Sequence, residues 1–119
     1  MILFERKYPV NIFNTDITGR LSPGALFSFF EDLAGRHAAE LGWGRDDLMA
    51  SGGYFWALSR MIVKIEHLPK VWDEVTLRTW PRGTESIFAL RDLEMYDESG
   101  TKIAGASSSW VIVDYSTRK

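Results

Sequence analysis

A chain of 119 residues, 45% hydrophobic and 13% aromatic, suggests one domain, burying roughly 65% of the surface its unfolded form exposes. With 14 basic against 16 acidic residues and a net charge of -2 there is no electrostatic reason to expect nucleic acid, and with no cysteine there is no disulfide, thiolate metal site or cysteine nucleophile. No apolar run reaches the ~18 residues of a membrane span, and Met1–Lys7 is too charged for a signal peptide, so a soluble cytoplasmic protein is expected.

Residues about 4–12 alternate charged and apolar side chains and predict a first strand. Asn11 to Ser22 reads as a loop rich in Asn, Asp, Thr and Gly. Ser22-Pro23 predicts a helix start, with Ser as N-cap and Pro at the first helical position. Leu26, Phe29, Phe30, Leu33, His37 and Leu41 follow at helical spacing, and Phe27, Ala34 and Ala38 widen the stripe. A helix apolar over so much of its circumference needs cover on more than one side. Gly42 is the expected stop, and Arg45–Ala50 predicts a short helix ended by Gly52-Gly53.

Four strands are then expected, at about 54–66, 74–81, 86–97 and 102–114. Turns are expected at Pro69, at Pro81-Arg82-Gly83 and at Asp97–Gly100. In the third of these strands Ile87, Ala89, Arg91, Leu93 and Met95 share one face, so Arg91 and its neighbour Asp92, on opposite faces, each need a partner. Strand, long helix and antiparallel strands make an α+β domain over residues 1–119.

The motifs Tyr54-Phe55-Trp56-Ala57-Leu58-Ser59-Arg60-Met61, Val75–Trp80, Leu90-Arg91-Asp92-Leu93, Ala106–Ile112 and Asp114–Arg118 occur in the order and spacing of the acyl-ACP thioesterase family. The chain resembles that family from about Tyr8 to Lys119. The resemblance implies a single hot-dog domain: a long central helix wrapped by a curved antiparallel sheet. It is to the N-terminal of two hot-dog repeats. The catalytic signature of the second repeat, Asp-x-Asn-x-His-Val-Asn-Asn, has no match here. By the same analogy Trp56, Ser59, Arg60, Trp80, Arg91 and Trp110 are architecture and pocket wall. One departure falls at Val71-Trp72-Asp73, where the family has Trp-Gly-Asp. With Trp in place of Gly, the geometry of that turn is open.

There is no Gly-x-Ser-x-Gly elbow, and Ser107-Ser108-Ser109 reads as small residues in a strand. His37 and His67 form no metal-ligand spacing, and no metal or other cofactor is implied. His37, on the helix stripe, reads as a packed, hydrogen-bonded structural histidine, with proton transfer as the alternative. The catalytic candidate is the loop Asn14–Arg20. Single-domain hot-dog thioesterases have Asp-x-Asp-x-x-Gly there; this chain has Asn14 at the first acid, Asp16 at the second and Gly19. Asp16 would orient or deprotonate the attacking water, helped by Asn14 and by Glu31 on the helix. The bland alternative for Asp16 and Gly19 is turn geometry. Backbone N–H groups of Gly24 and Ala25 would form the oxyanion hole. The acyl chain would run along Phe27, Phe30 and Trp56, with Arg60 also on the binding side.

The expected activity is hydrolysis of fatty acyl-ACP or acyl-CoA to fatty acid and thiol, in fatty acid biosynthesis. A lone hot-dog leaves an open sheet edge, so a homodimer is expected. The alternative is an acyl-binding half, truncated or split, that needs a second catalytic hot-dog domain. A hot-dog dehydratase is a weaker third reading, because His37 lies deep in the helix.

Overall fold

A computed structural model describes residues 3–118; Met1, Ile2 and Lys119 of the terminal stretches lie outside it. The chain runs β1 (Phe4–Pro9), a 3-10 turn (Ile12–Asn14), α1 (Pro23–Glu40), α2 (Arg45–Gly52), β2 (Tyr54–Ile65), β3 (Glu74–Glu85), β4 (Phe88–Tyr96) and β5 (Lys102–Asp114). The strands form one sheet in the order β1-β3-β4-β5-β2, every neighbouring pair antiparallel. α1 packs on one face of it. This is the hot-dog arrangement.

α1 starts as its sequence dictates. Ser22 Oγ accepts the Ala25 N–H at 3.1 Å and Pro23 fills the first turn. The helix ends at Glu40, with Gly42 in the left-handed region at φ 86°. Leu26, Phe29, Phe30, Leu33, Ala34 and His37 are its buried face. They pack with Leu77, Leu93, Met95 and Ile103 from the sheet. Each large apolar side chain buried there stabilises the fold by about 1.5–3 kcal/mol, as an upper bound.

Two boundaries differ from expectation. β1 stops at Pro9, because Asn11 caps the 3-10 turn instead: its Oδ1 accepts the Phe13 N–H at 2.9 Å. Val10 still pairs with the β3 approach, donating to the Asp73 carbonyl at 2.8 Å. The expected turn at Pro81-Arg82-Gly83 is not a turn. β3 runs through it, and the ladder shifts register between Pro81 and Gly83. A bulge tolerates proline's missing N–H. The chain reverses at Ser86-Ile87, with Glu85 opposite Phe88 and Ser86 at φ 57°. Trp72 keeps the left-handed geometry that glycine would favour, at φ 75°. It stands third in the turn Lys70–Asp73, closed by the Asp73 N–H on the Lys70 carbonyl at 3.1 Å.

Candidate active site

A cavity of about 440 Å³ opens between the second half of α1 and the sheet, within the size range of small-molecule sites. On the helix side it is lined by Glu31, Ala34, Gly35, Ala38 and Leu41, which share one helical face. Three of these are small, and that leaves the space. A β-carbon added at Gly35 would meet no atom within 4 Å. Trp43, Trp56, Trp110, Pro81, Ala89 and Arg91 line the other side. The rings are held by hydrogen bonds. Trp56 Nε1–H donates to the Trp43 carbonyl at 2.8 Å, and Trp110 Nε1–H to Ser108 Oγ at 2.9 Å. Ser108 in turn donates to the Arg91 carbonyl at 2.8 Å.

Polar groups in this wall are few. Arg91 Nη1–H donates to His37 Nδ1 at 2.8 Å and to Thr79 Oγ1 at 3.1 Å. His37 is buried and stacks on Phe4, ring centroids 4.8 Å apart. Burial first, and then the Arg91 charge, push its pKa below the ordinary histidine value. It is a packed structural histidine, as its place on the helix stripe suggested. Glu31 is the one carboxylate lining the cavity, and among the described residues it makes no ion pair or side-chain hydrogen bond. A larger groove, about 670 Å³, lies between Glu5, Lys7, Glu74, Arg78 and Glu98 and is walled by charge.

Of the residues expected to form the site or its wall, Glu31, Trp56, Arg91 and Trp110 line the cavity. The loop residues do not. Asp16 is exposed, and its Oδ1 accepts the Thr18 N–H at 2.8 Å and the Thr18 hydroxyl. These hydrogen bonds hold its pKa below the usual carboxylate value, which weakens it as a base. Asn14 Oδ1 accepts the Asn11 N–H at 3.0 Å, closing the cap of the 3-10 turn. The loop geometry reading therefore accounts for both side chains. The paired oxyanion hole is also reduced. The Ala25 N–H is taken by Ser22, and Pro23 has none, so in that turn Gly24 alone keeps a donor without a partner among the described residues.

Phe30 is fully buried in the core, and Phe27 is partly buried outside the cavity lining. Arg60 is exposed. A bulge between Leu58 and Arg60 shifts the alternation of β2, and Met61, the next residue, packs on the core. Arg60 therefore projects to the outer face. Trp80 lies on the outer face too, beside Asp92 and Ile62, and is not cavity wall. Trp43 and the small residues Ala34, Gly35 and Ala38 belong to the cavity and were not anticipated. Their signal was a cluster of small side chains at i, i+1 and i+4 on an otherwise bulky helix.

Residues 2–119 match the family model described as the acyl-ACP thioesterase N-terminal domain. The chain belongs to the acyl-ACP thioesterase family. It is 21% identical over 124 residues to a chloroplastic acyl-[acyl-carrier-protein] hydrolase of Cuphea viscosissima, covering 99% of this chain and 30% of that one. A crystal structure of an acyl-ACP thioesterase from Bacteroides thetaiotaomicron superposes with a TM-score of 0.90 at 29% identity, over 98% of this chain and 48% of that one. The fold is shared by a DHNA-CoA thioesterase from Staphylococcus aureus, TM-score 0.91 at 18% identity, over 100% of this chain and 79% of that one. The chain thus spans less than half the length of the Cuphea and Bacteroides family members. Among the described residues no helix is long and apolar enough to cross a membrane. No cluster of three or more His, Asp or Glu there is placed to hold a metal ion.

Proposed function

We propose that this chain binds the acyl group of a fatty acyl thioester in the cavity between α1 and the sheet, and takes part in its hydrolysis to fatty acid and thiol. The carrier would be acyl carrier protein or CoA, and the setting fatty acid biosynthesis in the cytoplasm. The observation that carries this is the cavity: apolar, walled by three tryptophans, with the unengaged Glu31 carboxylate at the end nearest the start of α1. A thioester carbonyl held there has a base beside it. Glu31 takes a proton from water, the hydroxide adds to the carbonyl carbon, and the thiolate leaves and takes up the proton.

The developing oxyanion needs donors. Gly24 lies seven residues before Glu31, roughly 10 Å along the helix, too far to serve a carbonyl beside Glu31. Those donors come from a second hot-dog unit. β2 offers the place for it: a twelve-residue strand at the sheet edge, with Tyr54, Ile62 and Ile65 exposed. We propose that it pairs with another copy of this chain in a homodimer. The second reading, a half that holds an acyl chain without cleaving it, is favoured by one observation: Asn14 and Asp16 are already committed to turns.

The test is thiol release from medium- and long-chain acyl-CoA and acyl-ACP, read with a thiol dye. The protein has no cysteine and contributes no background. Saturable release that Glu31→Gln abolishes and Asp16→Asn leaves is the expected result. No release by a folded dimer that co-purifies with fatty acid would replace hydrolysis by the acyl-binding reading.

A further inference from the structure

Arg6, Arg36, Arg78 and Arg82 each face a carboxylate: Glu40, Asp32, Glu5 and Asp92. Arg91 is half-buried, yet among the described residues it forms no ion pair. Its neighbour Asp92 points to the other face of β4 and pairs with Arg82 at 3.1 Å. Arg91 Nη1 is held by His37 and Thr79. A ring nitrogen that accepts from a guanidinium carries no proton, so His37 is neutral. These partners orient the charge without cancelling it. Arg91 Nε and Nη2 have no partner among the described residues. No fully buried side-chain nitrogen or oxygen there lacks one. The free donors therefore open onto accessible space, and the space that Arg91 lines is the cavity.

A saturated chain laid over those donors would strip them of water and give nothing back. A hydroxyl would accept one hydrogen bond and leave the charge unmatched. A carboxylate presents two oxygens to the guanidinium fork and cancels the charge. His37, which bonds Arg91, lies six residues beyond Glu31, roughly 9 Å along the helix. An extended chain advances about 1.2 Å per bond, so about seven or eight bonds span that distance. We infer that the cavity takes an acyl group ending in a carboxylate, a dicarboxylic acid of about eight or nine carbons bound as its monothioester, with Arg91 as receptor for the free carboxylate. This rests on the reading that the cavity holds the acyl group.

The experiment uses CoA thioethers, which cannot be hydrolysed, carrying an eight-carbon chain ended by a methyl, a hydroxyl or a carboxylate. Binding to the full chain is read from tryptophan fluorescence, since Trp43, Trp56 and Trp110 line the cavity. The carboxylate probe is expected to bind about tenfold or more tighter than the methyl probe, as a charged hydrogen-bonded pair does. Arg91→Met should erase that preference, and Arg91→Lys should keep part of it. A methyl probe that binds as well as the carboxylate probe overturns the inference and leaves the acyl cavity standing. So does a hydroxyl probe that matches the carboxylate. If no probe binds, the acyl cavity falls and this inference with it. Should Arg91→Met fail to fold, the ranking of the three probes on the unaltered chain still decides.

Discussion

Trp72 sits at φ 75° in the Lys70–Asp73 turn, 73% exposed, with its N–H on the Val10 carbonyl at 2.7 Å. The third position of a type II turn needs a positive φ, which is why glycine is usual there. A residue with a β-carbon held in this region is destabilised by about 1–2 kcal/mol. Replacing Trp72 directly by Gly would mix relief of that strain with loss of whatever the ring covers. Comparing Trp72→Gly with Trp72→Ala removes the ring in both and leaves only the β-carbon. Against the strain stands glycine's greater freedom in the unfolded chain, about 0.4–1 kcal/mol. The Gly variant should therefore be the more stable of the two by about 0.5–1 kcal/mol. In a chain of this size that is roughly 2–5 °C in Tm. Urea and thermal melts at one fixed protein concentration, followed by circular dichroism, would read it. An Ala variant as stable as the Gly variant would refute the argument that this turn holds a strained residue.

Gly35 gives the mirror case, since it lies mid-helix with open space where a β-carbon would go. Gly35→Ala should stabilise the fold by up to about 1 kcal/mol in a urea melt, whereas Gly35→Leu should keep the fold and lose acyl binding by filling the cavity. The Tyr8 hydroxyl donates to Asp32 Oδ2 at 2.6 Å, and Arg36 Nε–H donates to the same oxygen at 2.7 Å. Burial, then the Asp32 hydrogen bond, raise the Tyr8 pKa; Asp32 is held low by Tyr8 and Arg36 despite its own burial. Stability should therefore fall as pH drops below about 4, where the unfolded carboxylate takes up its proton before the folded Asp32 does, and again above about 10, where the unfolded phenol ionises first. Tyr8→Phe should flatten the alkaline limb and shrink the acid one. His37 has a depressed pKa in the fold, so its contribution is present above about pH 6.5 and is lost as pH falls below it. A stability–pH profile of His37→Gln that keeps the wild-type slope between pH 5 and 6.5 would count against this.

The fold was legible because its signals are local. Ser22-Pro23 starts a helix whatever surrounds it, and the bulky stripe from Leu26 to His37 names the face to be covered. Strand boundaries failed where a residue has two uses. Pro81-Arg82-Gly83 has the composition of a turn but forms a bulge, and the turn itself falls at Ser86-Ile87. The site was harder to read because it depends on register and on missing volume. One bulged residue in β2 puts Arg60 outside and Met61 inside. Ala34, Gly35 and Ala38 make the cavity by what they lack. Asp16 was singled out for its chemistry, and the turn geometry weighed beside it is the reading that its hydrogen bonds with Thr18 support.

The strand order carries a consequence for how the molecule assembles. β3, β4 and β5 follow one another in the chain and in the sheet, so they close through short connections. β1 joins β3 through pairs such as Phe4 with Thr79, and β2 joins β5 through pairs such as Tyr54 with Asp114, both far apart in sequence. Closing such long loops is entropically costly before any pairing rewards it. The three-strand meander is thus expected to form first, with α1 and the two outer strands docking late. Because the cavity needs α1, β2 and β5 together, a chain caught part-way would hold most of its sheet and have nowhere to put a ligand.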